Sequence, residues 1–243
     1  MLYRLFIFVL LVQAATFSYA ASFKVNPLKL EFSQNTRTSI LELSNTSNGS
    51  VTLQIDARKW MQDASGTDVY DEADEIVFFP RIVTLKANEQ RTIRIGFNGT
   101  RDAQKEMTYR IFVEELVSRS ERNQALNFAL RFSIPLFIQP EREKVEVALS
   151  GASVKNGKAS VVLENRGNQH VIVKQFQVTG LDRNQHEIFF HESKGWYVLS
   201  GNHNAFSIKL SDQECGRSEF LELTTRTSAK TLVARVPKEQ IGC

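Results

Sequence analysis

The sequence predicts an all-β protein made of two consecutive immunoglobulin-like β-sandwiches. Three observations carry that prediction. Apolar and polar residues alternate with period two along most of the chain, as strands with one wet face require. Clusters of Asn, Ser, Asp, Gly and Thr interrupt the alternation at short intervals, and no convincing helical period competes with it. The whole pattern stops at one charged segment led by Pro140 and then starts again.

The first twenty residues precede the pattern. Residues 1–4 give a short positive start, residues 5–15 an apolar run, and Ser18 and Ala20 the small residues of a cleavage site. That is the layout of a secretory signal peptide, with the cut after Ala20. The run is too short to span a bilayer, which takes about 20 residues. Export to an oxidising compartment follows. There the two cysteines, Cys215 and Cys243, are read as one structural disulfide, because they lack CxxC spacing and metal-binding partners.

In the mature chain, residues 39–44, 51–57 and 92–97 alternate cleanly. The segments 44–50, 63–68 and 98–100 are turns. About seven strands precede Pro140, enough for one complete sandwich. After it, strands are expected at 144–149, 159–164, 170–178, 196–199, 205–210, 220–223 and 231–236. The units are therefore a leader at 1–20, a first domain at 21–140 and a second at 141–243.

Composition excludes several functions. There are 30 basic and 27 acidic residues, with no long block of one sign, so nothing calls for nucleic acid. Beyond the leader, no stretch is apolar enough for membrane insertion. His170, His186, His191 and His203 lack the spacing of a metal site and read as surface or turn residues. The acid pairs Asp71-Glu72 and Asp74-Glu75 read as a polar loop, and no catalytic motif is present. The expectation is a non-enzyme without metal or cofactor.

The most informative stretch is 125–140. Leu126, Phe128, Leu130, Phe132, Ile134 and Leu136 alternate strictly with Asn127, Ala129, Arg131, Ser133 and Pro135. An ordinary sandwich strand has about 5–6 residues. A longer apolar strand at a sheet edge is an aggregation hazard that proteins usually blunt. Keeping one makes sense where a client strand pairs with it, or where free copies self-associate through it.

Here the residues resemble the PapD-like periplasmic pilus chaperones. Phe79-Pro80-Arg81 with residues 82–85, followed by Glu89-Gln90-Arg91-Thr92-Ile93-Arg94, is similar to the family's proline-to-arginine signature. Residues 109–115 resemble its penultimate strand, and 134–140 the end of its donor strand. The resemblance implies an L-shaped (boomerang) pair of sandwiches in the periplasm. It implies a chaperone that inserts Leu126, Phe128, Leu130 and Phe132 into the open groove of a pilus subunit, caps it, and delivers it to an outer-membrane usher. The resemblance also implies that the client's C-terminal carboxylate is held by basic residues in the cleft. Lys29 stands where the family has its first-strand arginine, but Pro135 takes the place of the second anchor, a lysine. Arg131 on the same strand and Arg94 on a neighbouring strand are the candidate substitutes. Glu115 matches an acidic residue near the hinge at Pro140, and its usual arginine partner reads Gln139. These departures suggest an archaic-type branch.

Two other readings compete. A structural pilus subunit or adhesin would carry an apolar donor segment directly after the leader, and residues 21–26 are short for that. A secreted carbohydrate-binding module would cluster exposed tryptophans, whereas Trp60 and Trp196 fall in different predicted domains.

Overall fold

A computed structural model describes residues 23–116 and 129–243. The expected leader, and Leu126 and Phe128 of the expected donor series, lie outside the described residues. The first half contains β1 (Phe23–Asn26), β2 (Leu30–Phe32), β3 (Thr38–Asn45), β4 (Val51–Gln62), β5 (Asp68–Glu72), β6 (Ile76–Phe79), β7 (Ile82–Leu85), β8 (Gln90–Phe97), β9 (Met107–Glu115) and β10 (Arg131–Ile138). One sheet has the order β1-β3-β8-β6, and the other β2-β10-β9-β4-β5, with β7 also pairing β4. The alternation read from the sequence is what builds the core. Leu41 and Leu43 of β3, Leu53 and Ile55 of β4, Ile93 and Ile95 of β8, and Tyr109 and Ile111 of β9 all point inward. Tyr109 brings a hydroxyl into that core, and it donates to Glu75 Oε1 at 2.7 Å. Burial pushes this phenol's pKa far up, so it stays a neutral donor.

Turn chemistry fixes the registers. Asn45, almost fully buried, donates its amide to the carbonyls of Gly49, Leu85 and Lys86, tying two turns together. Asp63 accepts from the amides of Ser65 and Thr67, an Asx turn between β4 and β5.

The second half contains β11 (Val147–Lys155), β12 (Lys158–Asn165), β13 (Val171–Leu181), β14 (Glu187–Lys194), β15 (Tyr197–Val198), β16 (His203–Lys209), α1 (Asp212–Arg217), β17 (Phe220–Thr227) and β18 (Thr231–Pro237). Its sheets run β11-β12-β16 and β14-β13-β17-β18, with β15 on β13. Its own core includes Val161, Leu163, Phe176 and Leu223. The architecture is all-β, two immunoglobulin-like sandwiches. Cys215 and Cys243 form a disulfide, with Cα atoms 6.0 Å apart, that ties α1 to the chain end.

Three expectations need correction. The sequence reading placed no strand at 187–194, yet β14 lies there. Its pattern is broken because, as an edge strand, it has only half-covered side chains. The reading also gave no helix, but α1 carries a full capping box between Ser211 and Glu214. Asp71 and Glu72 sit in β5, paired with Lys59 and Arg58, rather than in a loop.

Candidate functional site: the β10 edge and the cleft

The distinctive feature of β10 is how it is paired. On one side it runs antiparallel to β9 along its whole length, from Arg131 opposite Glu114 to Ile138 opposite Met107. On the other side the parallel strand β2 covers only Leu136, Phe137 and Ile138. Among the described residues, no strand pairs with the outer edge of β10 from Arg131 to Pro135. Burial follows the same gradient. Ile134 to Ile138 are buried, whereas Leu130 and Phe132 are partly covered against the sandwich core, with Phe132 edge-on to Phe23 at 5.1 Å. The two described members of the expected donor series, Leu130 and Phe132, are therefore half-sealed by their own sandwich rather than fully part of it.

Lys29 stands at the start of β2, one residue before the pair Leu30–Leu136, and so beside Pro135. Leu30 and Phe32 point into the core, so Lys29 and Glu31 point to the opposite face. The Lys29 ammonium is half-exposed and meets Glu31 at 2.7 Å. Pro135 can donate no backbone hydrogen bond and carries no charge.

The cation on the other side of Pro135 is Arg110, its direct partner across the β9–β10 ladder. Arg110 alternates with the core residues Tyr109 and Ile111, so it shares a face with Lys29. Two strand spacings, about 10 Å, separate the two backbones. Arg110 is only 3% exposed. Its guanidinium lies 3.7 Å from the Trp60 ring, 5.3 Å from Tyr197 and 5.4 Å from Trp196. Nη1 reaches the Ser133 carbonyl at a long 3.4 Å, while Nε and Nη2 are buried with no acceptor. Burial pushes this guanidinium below its usual pKa, opposed by nearby Tyr70 and Asp68. A buried cation with orphaned donors is costly and calls for an explanation. The sequence did carry a signal: a single arginine inside an apolar run, Tyr109-Arg110-Ile111. That signal alone does not make a site, because the second half of the sequence does not show what would cover it.

What covers it is the second sandwich. Trp60, Phe137 and Leu199 form a small core of their own, with Tyr197 against it, joining the two halves. The separated tryptophans of the sequence thus converge on one guanidinium. Gln62 donates to the Tyr197 carbonyl at 2.9 Å and accepts from the Leu199 amide at 2.9 Å. The Trp196 indole donates to Asp68 at 2.9 Å. Glu106, buried, takes the His170 amide at 2.9 Å and meets His170 Nδ1 at 2.9 Å, while the imidazole stacks on Phe137 at 3.8 Å. His170 is therefore not the surface residue expected of it. Among the described residues no cluster of His, Cys, Asp or Glu is arranged to hold a metal.

Three of the expected site residues lie away from the Lys29–Pro135 pair. Glu115 is not at the hinge. It ends β9 beside Leu130, whereas Met107 at the other end of the strand pairs with Ile138. The acid at the end of β9 that runs toward Pro140 is Glu106. Arg94 lies in the other sheet, on β8 between Ile40 and Phe79 and facing outward, so the thickness of the sandwich, about 10 Å, separates it from the cleft. Arg131 shares the Lys29 face but sits four positions before Pro135. It stacks over Phe112 at 4.0 Å and pairs with Glu114 at 3.5 Å.

The family profile described as pili and flagellar-assembly chaperone, PapD N-terminal domain, matches residues 22–144. A search of curated protein sequences gives no match. Solved structures share the fold. The CsuC–CsuE chaperone–tip adhesion subunit pre-assembly complex, from the archaic chaperone-usher Csu pili of Acinetobacter baumannii, aligns with a TM-score of 0.58 at 22% identity, over 88% of this chain and 98% of that one. The complex of SafA pilin with the SafB chaperone of Salmonella enterica gives 0.56 at 15% identity, over 90% and 98%. The CupB2 chaperone of Pseudomonas aeruginosa gives 0.55 at 12% identity, over 88% and 99%. Fold and family are those of pilus chaperones, which are not enzymes. With the profile spanning the first sandwich and both sandwiches matched in fold, this chain belongs to the pili and flagellar-assembly chaperone family.

Proposed function

We propose that this protein is a periplasmic chaperone that binds a pilus subunit along the edge of β10 that no described strand pairs with, completes its fold by donor-strand complementation, and hands it to an outer-membrane usher. The observation that carries this reading is the half-paired edge. β2 already runs parallel to β10 and begins at Leu30, opposite Leu136. A client strand laid along Arg131 to Pro135 in the same direction ends at Lys29. Its C-terminal carboxylate then meets Lys29 on one side of Pro135 and Arg110 on the other. Leu130 and Phe132, with Leu126 and Phe128 before them, enter the client's open core. The main-chain ladder supplies affinity and the alternate side chains fix register.

The units 21–140 and 141–243 meet at Pro140, and the leader at 1–20 directs export. A carrier whose β10 edge is occupied needs another surface for delivery. Phe79 (79% exposed), Ile82, Ile40 and Val77 form such an apolar surface around Arg94, on the opposite sheet and its margin. That surface is the one we assign to the usher. Co-expression with each neighbouring exported immunoglobulin-like protein, followed by pull-down and size exclusion, tests the reading. A one-to-one complex that protects the partner from proteolysis supports it. Assembly of this protein alone into fibres, or glycan binding without a partner, overturns it.

A further inference from the structure

The aromatic residues around Arg110 are not equivalent. Trp60 is sealed, at 1% exposure. Tyr197 is held by ring contacts with Trp60 at 5.2 Å, Phe137 at 6.0 Å and His170 at 5.5 Å. Trp196 is the most exposed of the three, at 46%, and is fastened by the indole bond to Asp68 and by one edge contact with Tyr197 at 5.6 Å. Arg110 nevertheless keeps two donors buried and unpaired. A carboxylate that reaches them has to displace something, and the half-exposed ring is the one free to move. From this geometry we infer that Trp196 is a latch over Arg110: it covers the cation in the free protein and swings aside when a carboxylate arrives.

The inference rests on the assignment of Arg110 as an anchor and adds a gate to it. The chemistry is an exchange. A cation–π contact, the edge contact with Tyr197 and one indole–Asp68 hydrogen bond are given up, and charge-assisted bonds from Nε and Nη2 to the carboxylate replace them. While the latch is closed the buried charge has partial aromatic compensation and other anions are kept out. Apparent affinity is lowered by the fraction of time the latch is shut.

Phenylglyoxal labelling of arginine, read by peptide mapping of the client-free full-length protein, tests this. Arg183, with its side chain 83% exposed, serves as the internal reference. Arg110 is expected to label far more slowly than Arg183 in the parent protein and at least about tenfold faster in Trp196→Ala. Asp68→Ala, which keeps the ring but removes its fastening together with the Gln62–Asp68 hydrogen bond, gives a smaller rise and covers the case that Trp196→Ala does not fold by circular dichroism. Equal protection of Arg110 in parent and variants, or parent labelling as fast as Arg183, overturns the latch. A second arm adds N-acetylglycine or N-acetylglycinamide to Trp196→Ala. Protection by the acid and not the amide supports a carboxylate site. An opened Arg110 that neither compound protects leaves the cover standing and overturns Arg110 as the anchor.

Discussion

Arg110 and Pro135 face each other across the β9–β10 ladder, so the position that lacks a cation on one strand has one directly opposite. Arg110→Met is expected to leave the melting temperature unchanged or to raise it. An apolar side chain there replaces a buried charge whose donors are unpaired. The same change should cut client complex yield at least tenfold, because losing one partner of a desolvated ion pair costs about 2–5 kcal/mol. Pull-down and thermal melting on one preparation check both halves. A stable variant that still binds its client would remove Arg110 from the site.

Lys29 is a different kind of cation. Its half-exposed pair with Glu31 contributes little to stability, since such pairs are screened and entropically costly. Lys29→Ala should therefore fold normally and fail to retain a client. Lys29→Arg should retain it at least as well, because the guanidinium adds a bidentate fork. Normal complex yield from Lys29→Ala would sink the assignment.

The apolar series should divide at Ile134. Leu130 is only partly buried, so Leu130→Asp is expected to keep the fold and lose the client. Leu136 is fully buried, and even Leu136→Ala should cost about 2–5 kcal/mol. Circular dichroism with urea titration separates the two. Gross unfolding of Leu130→Asp would place that residue in the chaperone's own core.

How much of this was legible beforehand depended on whether the signal was local. Strands such as β3, β4 and β8 carry their burial in their own alternation, and the sequence states it directly. The long apolar run into Pro140 marked β10 for the same reason. Arg110, Glu106, His170, Trp60 and Trp196 could not be read that way. Apart from Arg110, a lone arginine in an apolar run, each looks ordinary in its own segment, and all acquire their roles only where one sandwich meets the other. Glu115 was misplaced because a motif gives order along the chain, while the end of the strand that meets the hinge is set by ladder register. Helix α1 was visible in principle, since Ser211 and Glu214 spell out its capping box.

The disulfide between Cys215 and Cys243 spans a sequence separation of 28 residues. Closing a loop of that size restricts the unfolded chain by roughly 3–4 kcal/mol. Cys215→Ser with Cys243→Ser should lower stability by about that much in urea titration. Client binding at temperatures where the variant stays folded should not change, because the disulfide lies in the second sandwich away from Lys29 and β10. A selective loss of binding without a loss of stability would contradict this.

Acid should weaken the same corner of the molecule through Glu214. Its carboxylate accepts the Ser211 amide and hydroxyl and lies 2.7 Å from His191 Nε2. Those contacts, the Ser211 amide first, hold its pKa below the usual carboxylate range. A carboxyl with a depressed folded pKa contributes stability that is present above its unfolded value and lost as pH falls through the folded one. Glu214→Gln removes the titration while keeping an acceptor. Between about pH 7 and pH 3 the parent protein should therefore lose more melting temperature than Glu214→Gln does. Equal acid slopes for the two proteins would mean that the cap does not contribute to folding stability.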